Sequence, residues 1–221
     1  MNKTNSKLST MKFDSIEPAI SSAIAVKSSQ NGLVIAHLIP LGGWIMERTS
    51  VIRSVAEWRN KYMRFYLTQF EANLQTATSY LESKANSNSS SIFFMIADVN
   101  FKVVGHIGFS NILGKEAELD NVLIGEFVRV NNFMKDVEIQ IIDWVTNFLD
   151  INRIYLKVLS YNHFAINLHQ ECGFKTEQHI PLRRMEYVAK VDYESCTNAE
   201  SDLDFECLIM SRRFPETESE K

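Results

Sequence analysis

Residues 152–175 read NRIYLKVLSYNHFAINLHQECGFK. Ile154, Leu156 and Val158 alternate with Tyr155 and Lys157, the two-residue period of a strand. The alternation gives way to Asn162, and barely three helical turns follow before Gly173-Phe174. Asn162 suits a helix cap, because its side-chain oxygen can accept from a free backbone N–H. Gly173 can take the left-handed conformation that closes a helix, with Phe174 packing back towards Leu168. So short a unit buries little by itself. Either it is a plain connection or it holds something.

The segment upstream is NNFMKDVEIQIIDWVTNFL (131–149), the strongest helix in the chain, with Met134, Val137, Ile141, Trp144 and Phe148 on one face. Before it, SIFFMIA, FKVVGHIGFSNI and EAELDNVLIG form three strand candidates, separated by the turn-like DVN and LGK. Such short links make neighbours antiparallel, whereas the long helix between 116–125 and 153–159 makes that pair parallel. Nearer the N-terminus, GLVIAHLIPL is strand-like. WIMERTSVIRSVAEWRNKYMRFYL and EANLQTATSYLESK carry helical stripes. FKTEQHIPLRRMEYV and, beyond an acidic loop around NAESDLD, FECLIMSRRF complete the strands. The pattern predicts an α/β (α+β) fold: a mixed, mostly antiparallel sheet with helices on both faces and one central parallel pair. A single domain over 32–214 is expected, with a mobile tail at 1–31 and a solvated one at 215–221.

Composition excludes several classes. A formal net charge of −4 provides no basic field for nucleic acid. The longest apolar stretch, LVIAHLIPLGGWIM, is interrupted by His37, Pro40 and Gly42-Gly43, so no membrane span is expected. Three scattered cysteines without a CxxC argue against a zinc site or disulfide frame, and a signal peptide is not apparent. A reduced cytoplasmic protein without a metal is the expectation.

Taken together, ELDNVLIGE, the 152–175 stretch, PLRRMEY and, more weakly, EWRNKYM resemble the GNAT acetyltransferase family. Within it, the likeness is to the branch acting on ribosomal-protein N-termini and amino-sugar nucleotides. The run Asn162, Ala165, Leu168, Gly173, Phe174 is the most specific match. The resemblance implies an acetyl-CoA-dependent N-acetyltransferase whose co-substrate lies where strands 118–124 and 153–159 splay apart. Asn162 and Ala165 would line that gap, and Leu123 and Ile124 would offer backbone N–H groups to the thioester carbonyl and pantetheine. RVNNFM (129–134) occupies the place of the family's pyrophosphate loop, with Arg129 at its first position and Asn131 within it. Asn132 and Met134 replace the customary glycines; Asn is the next best residue for a left-handed backbone.

His169 stands where the family commonly has a Tyr that protonates the departing thiolate, and shares a helix face with Ala165. The other reading of His169 is a half-exposed polar residue on a surface helix. Glu118 and Asp120 project from one face of their strand. Asp120 is the candidate base for the amine, which is inert while protonated. Glu118 reads as an edge-strand charge or as part of the acceptor site. The stretch around Trp58, Arg59 and Tyr62 falls on the family's acceptor wall, where aromatic rings beside Arg suit a sugar, a nucleotide phosphate or a peptide terminus. Core packing is its plainer reading. The expected acceptor is a small primary amine, such as an amino sugar on a nucleotide. A protein N-terminus and a non-catalytic acyl-CoA-binding protein are the alternatives, and a homodimer is left open.

Overall fold

A computed structural model of the protein describes residues 3–86 and 90–215. Two short helices, α1 (Lys3–Ser9) and α2 (Ile16–Ser21), lead into β1 (Ile24–Lys27) and β2 (Val34–Pro40). Helix α3 (Thr49–Lys61), the two-residue β3 (Thr68–Gln69) and α4 (Leu74–Asn86) follow. The meander is β4 (Ile92–Asp98), β5 (Val103–Leu113) and β6 (Glu116–Ile124). Then come α5 (Phe133–Leu149), β7 (Arg153–Leu159), α6 (His163–Glu171), β8 (Lys175–Tyr187), β9 (Lys190–Ser195) and β10 (Glu206–Arg213).

The strands form one sheet in the order β1-β2-β4-β5-β6-β7-β10-β8-β9-β3. Its neighbours are antiparallel except β6 and β7. Strand β4 explains why the sheet is covered on both sides. Ile92, Phe94 and Ile96 pack with Val137, Ile141 and Ile142 of α5, while Phe93, Met95 and Ala97 pack with α3 and α4. A strand buried on both faces reads as the continuous apolar run seen at 92–97.

The feature that positions a site is the parallel pair. β6 and β7 are in register only from Glu116↔Arg153 to Glu118↔Tyr155, although β6 runs on to Ile124 and β7 to Leu159. Beyond residue 118 the two diverge. On its far side β7 keeps its full ladder to β10, from Arg153↔Arg213 to Leu159↔Cys207. The gap is therefore held open by a rigid strand rather than by a frayed one.

Several expectations need correction. The segment expected as a tail at 1–31 packs into the domain from residue 3 onward. Leu8 and Val26 are buried in the core beside α5, β1 pairs with β2, and the Lys7 ammonium donates to the Phe148 carbonyl at the end of α5. Its apolar anchors are spaced too widely among Ser, Lys and Asn to announce themselves by period. The helix expected over 44–67 is divided: α3 is flanked by 3₁₀ turns at Gly43–Glu47 and Met63–Phe65. Strand β9 lies where only a loop was expected, and it pairs back on β8 and with β3. Of the expected C-terminal tail, residues 216–221 lie outside the described residues.

Candidate active site

Strand β6 carries a bulge. Gly108 of β5 faces Asp120, yet His106 faces Leu123, so β6 holds one extra residue there. Asn121 takes it up in the left-handed region at φ 57°, a conformation Asn tolerates better than most residues. Two groups pin it, the buried His106 and the partly buried Tyr80. The His106 ring nitrogen Nδ1 lies 2.7 Å from the Asn121 carbonyl, to which it donates, and the Tyr80 hydroxyl donates to Asn121 Oδ1. Burial pulls His106 down to about 4 and drives the Tyr80 phenol up, so both stay neutral.

Beyond the bulge, Gly125 N–H donates to Val104 O at 2.9 Å. Alternation along the strand then turns the Ile124 N–H away from β5, towards the gap, and the Leu123 N–H back to β5. Of the two backbone donors expected, Ile124 fits the role. Leu123 contributes to the wall.

Helix α6 closes the gap from above. Asn162 caps it, Oδ1 accepting from Ala165 N at 3.3 Å. Its far end is a Schellman stop: Phe174 N–H donates to His169 O and Gly173 N–H to Gln170 O, with Gly173 at φ 88°. This fixed register sets Ala165 and His169 one turn apart on the same face.

Between β6, β7, α5 and α6 lies a cavity of about 580 Å³. It gathers Asp120, Leu123, Ile124, Met134, Asn162, Ala165 and His169, together with Tyr62 and Tyr66 from the α3 side. His169 is not the half-exposed surface residue of the alternative reading: it is 5% exposed. Its Nδ1 lies 2.9 and 3.0 Å from the two oxygens of Glu138, itself fully buried on α5. A carboxylate so placed holds a proton on Nδ1 and leaves Nε2 for another partner.

Asp120 sits beside the bulge, Oδ1 accepting its neighbour's Asn121 N–H at 2.7 Å. Burial raises its carboxyl above the usual range, and Lys84, 3.9 Å away, opposes that only in part. Glu118 lies outside the cavity lining. It accepts from Asn111 Nδ2 at 2.6 Å and pairs with Lys157 at 3.1 Å, tying β5, β6 and β7 together.

The loop before α5 keeps the expected left-handed residue: Asn132 has φ 57°. The first intrahelical bond runs from Asp136 N to Asn132 O, so the N–H groups ahead of it point out of the helix. Arg129, Asn131 and Asn132 are exposed and outside the cavity, whereas Met134 lines it. Trp58 does not line the main cavity either. It is buried, donates to Glu126 Oε1 at 3.2 Å, and packs so closely on Gly125 that a Cβ there would fall 2.0 Å from its ring.

Arg59 belongs to a second cavity of about 180 Å³, walled by α3, α4 and the Tyr66–Phe70 segment. Tyr66 and Asn121 line both cavities, so the two meet at the bulge.

The residues fit an extended acyl-CoA arm: an amide facing an open strand edge, an apolar gap, and free helix N–H groups near its mouth. Among the described residues, no group of three or more His, Cys, Asp or Glu could hold a metal, and no helix is long and apolar enough to cross a membrane.

The acetyltransferase (GNAT) family model matches residues 53–174, more than half of the chain. The chain belongs to the GNAT acetyltransferase family. It is an acetyl-CoA-dependent N-acetyltransferase. Solved structures of the same fold include the ribosomal L7/L12 alpha-N-protein acetyltransferase RimL in complex with coenzyme A, at 12% identity and TM-score 0.63. That alignment covers 87% of this chain and 98% of RimL. The microcin C7 self-immunity acetyltransferase MccE, in complex with acetyl-CoA and AMP, aligns at 15% identity and TM-score 0.61, over 89% of this chain and 99% of that one. Spermidine N-acetyltransferase from Vibrio cholerae, with CoA and spermine, aligns at 16% identity and TM-score 0.58, over 80% and 95%. No curated protein matches the chain by sequence.

Glu138, Asn121, His106 and Tyr80 escaped the sequence reading as site residues. Glu138 did leave a signal. It falls one turn after Met134 and one before Ile141 and Ile142, an acid inside the inward stripe of an amphipathic helix. Buried acids are rare unless paired.

Proposed function

We propose that the protein transfers acetyl directly from acetyl-CoA to the primary amine of a small molecule that enters from the α3–α4 side. The observation that carries this reading is the meeting of two unequal cavities at the Asn121 bulge. The larger suits an extended arm. The smaller is close in size to the roughly 150 Å³ that accommodates benzene. It holds a compact group rather than a length of polypeptide.

Acetyl-CoA supplies the acetyl group as a thioester. Asp120, its carboxyl raised by burial, takes a proton from the amine directly or through water. The Ile124 N–H polarises the carbonyl, in the manner of a prearranged backbone donor. His169 in its doubly protonated form, with Nδ1–H donating to Glu138, gives its Nε2 proton to the departing sulfur and is left as the Nδ1–H imidazole. The C–N bond forms as the C–S bond breaks, with no acyl group passing through the protein. Cys172, near His169, is unsuited to nucleophilic work because burial raises its thiol well above the ordinary range.

Arg129 and the first-turn amides of α5 are proposed to meet the pyrophosphate. An amino-sugar ring fits the smaller cavity by size, with a nucleotide carrier lying outside it. The three free cysteines are compatible with a reduced cytoplasm. A panel of primary amines, including amino sugars and a peptide with a free N-terminus, tests the reading through release of CoA thiol. Turnover confined to the peptide would overturn the small-molecule acceptor. Binding of acetyl-CoA without turnover of any amine would make the protein a binder.

A further inference from the structure

Among the described residues, Arg59 is unlike the two other arginines whose Nε is buried without a partner. Arg153 and Arg183 also have a buried Nε without a hydrogen-bond partner, but each meets carboxylates, Glu116 and Glu177 in one case and Glu194 in the other. Among the described residues no carboxylate meets Arg59. Its Nη2 donates to the Thr68 carbonyl at 2.8 Å, and its Nε is buried with no partner. Tyr66 and Phe70 lie on the guanidinium at 4.4 and 4.2 Å from their ring centroids. With two rings against it, the group has its remaining N–H donors left to offer. A guanidinium edge is a fork of in-plane N–H donors, the shape that matches an oxyanion.

The surroundings point the same way. The smaller cavity is lined by Arg59, His106, Asn121, two tyrosines, two threonines and apolar groups, with no Asp or Glu. The buried His106 is neutral, so Arg59 supplies the one full charge in the lining. Desolvation disfavours that charge as well, which makes a counter-ion welcome. Tyr66 separates Arg59 from the main cavity by the thickness of a single ring.

We propose that Arg59 anchors the acceptor: the amine substrate carries a carboxylate or phosphoryl oxyanion on a short spacer, bound to the guanidinium edge while its amine reaches Asp120. The inference rests on the small-amine reading above. It separates this protein from an acceptor site for polyamines, since a second ammonium would enter a cavity already holding an uncompensated Arg.

The test uses the full chain and matched amines: β-alanine, γ-aminobutyrate and δ-aminovalerate, their carboxamides, 2-aminoethylphosphonate and putrescine. Acetylation is followed as kcat/KM and, separately, binding without acetyl-CoA is followed by calorimetry. In the wild type at least one carboxylate or phosphonate should exceed its neutral counterpart roughly tenfold or more in both readouts. Arg59→Met, which keeps the stem between the rings, should erase that preference, and Arg59→Lys should retain only part of it. Should Arg59→Met fail to fold, the wild-type ranking and Arg59→Lys still decide. Carboxylate above phosphonate identifies an amino acid-like acceptor, and the reverse a phosphorylated amine; both support the anchor. Acetylation of putrescine or the carboxamides at least as fast as of the anions overturns the anchor while leaving the small-amine reading intact. An unchanged preference in Arg59→Met does the same. No CoA release from these amines or from the amino sugars removes the small-amine reading and this inference with it.

Discussion

His169 Nδ1 and the Glu138 carboxylate lie 2.9 Å apart, His169 lining the larger cavity and Glu138 behind it, both almost wholly shielded from water. The pair joins α6 to α5 and leaves the second imidazole nitrogen free of the carboxylate. If that nitrogen serves the leaving sulfur, His169→Phe should keep acetyl-CoA affinity and lower kcat by about 10²–10⁴, as for a general acid. His169→Tyr should retain much of the activity. Glu138→Gln should lower kcat with little change in KM, because it holds the ring without touching substrate. Full activity of His169→Phe at saturating acetyl-CoA would leave water as the proton donor.

The loop before α5 offers a separate test of co-substrate binding. Asn132 already has the backbone of a glycine, at φ 57°. Asn132→Gly should therefore leave acetyl-CoA binding unchanged or tighter, while Asn132→Val should cost about 1–2 kcal/mol of stability for a bulky left-handed residue. Arg129→Ala should weaken binding by about 1–3 kcal/mol if its exposed guanidinium meets a phosphate. Calorimetric titration reads each value. Weaker binding by Asn132→Gly would mean that its side chain touches the ligand.

At the α6 cap, Asn162→Ala should destabilise the fold by about 0.5–1 kcal/mol, the low end for a cap, because the bond to Ala165 N is a long 3.3 Å. Denaturant unfolding measures this. A loss of acetyl-CoA affinity beyond that change in stability would show a direct contact as well.

Stability should depend on pH through His106. Its folded pKa of about 4 lies below the ordinary 6.5, so the unfolded chain binds more protons between those values. The fold should thus lose about 3 kcal/mol as pH falls from 6.5 to 4. Asp120 works in the opposite sense, since a carboxyl raised in the fold favours the fold at low pH. The difference between wild type and His106→Gln, followed by urea unfolding, isolates the histidine. Parallel curves for the two proteins would contradict its burial as a neutral ring.

How much of this was legible beforehand depended on whether a feature was local. The cap, the stop and the strand between 153 and 159 each rest on a few consecutive residues, and each is where the sequence puts it. His169 and Ala165 came together for the same reason: four residues apart on a helix is one face. The bulge at Asn121 was not legible, because it depends on His106 and Tyr80 arriving from elements 15 and 41 residues away. Trp58 and Glu118 each kept two readings for a related reason. Their residue types suit a binding wall, but Gly125 and Lys157, which claim them, lie on other strands or beyond them. Glu138 was hidden in plain view, since its partner, not its spacing, gives it meaning.

Bound acetyl-CoA should raise the melting temperature, because a ligand taken only by the native state contributes about 2.7 kcal/mol at a hundred times its Kd. The more direct measurement is a single turnover with isotope-labelled acetyl-CoA and an amine from the accepted set, quenched and weighed by mass spectrometry. The account predicts label on the amine nitrogen, CoA thiol in equal amount, and intact protein mass unchanged at every time. Label first on the protein, or acetyl-CoA held without transfer to any amine, would contradict direct transfer across the Asn121 bulge.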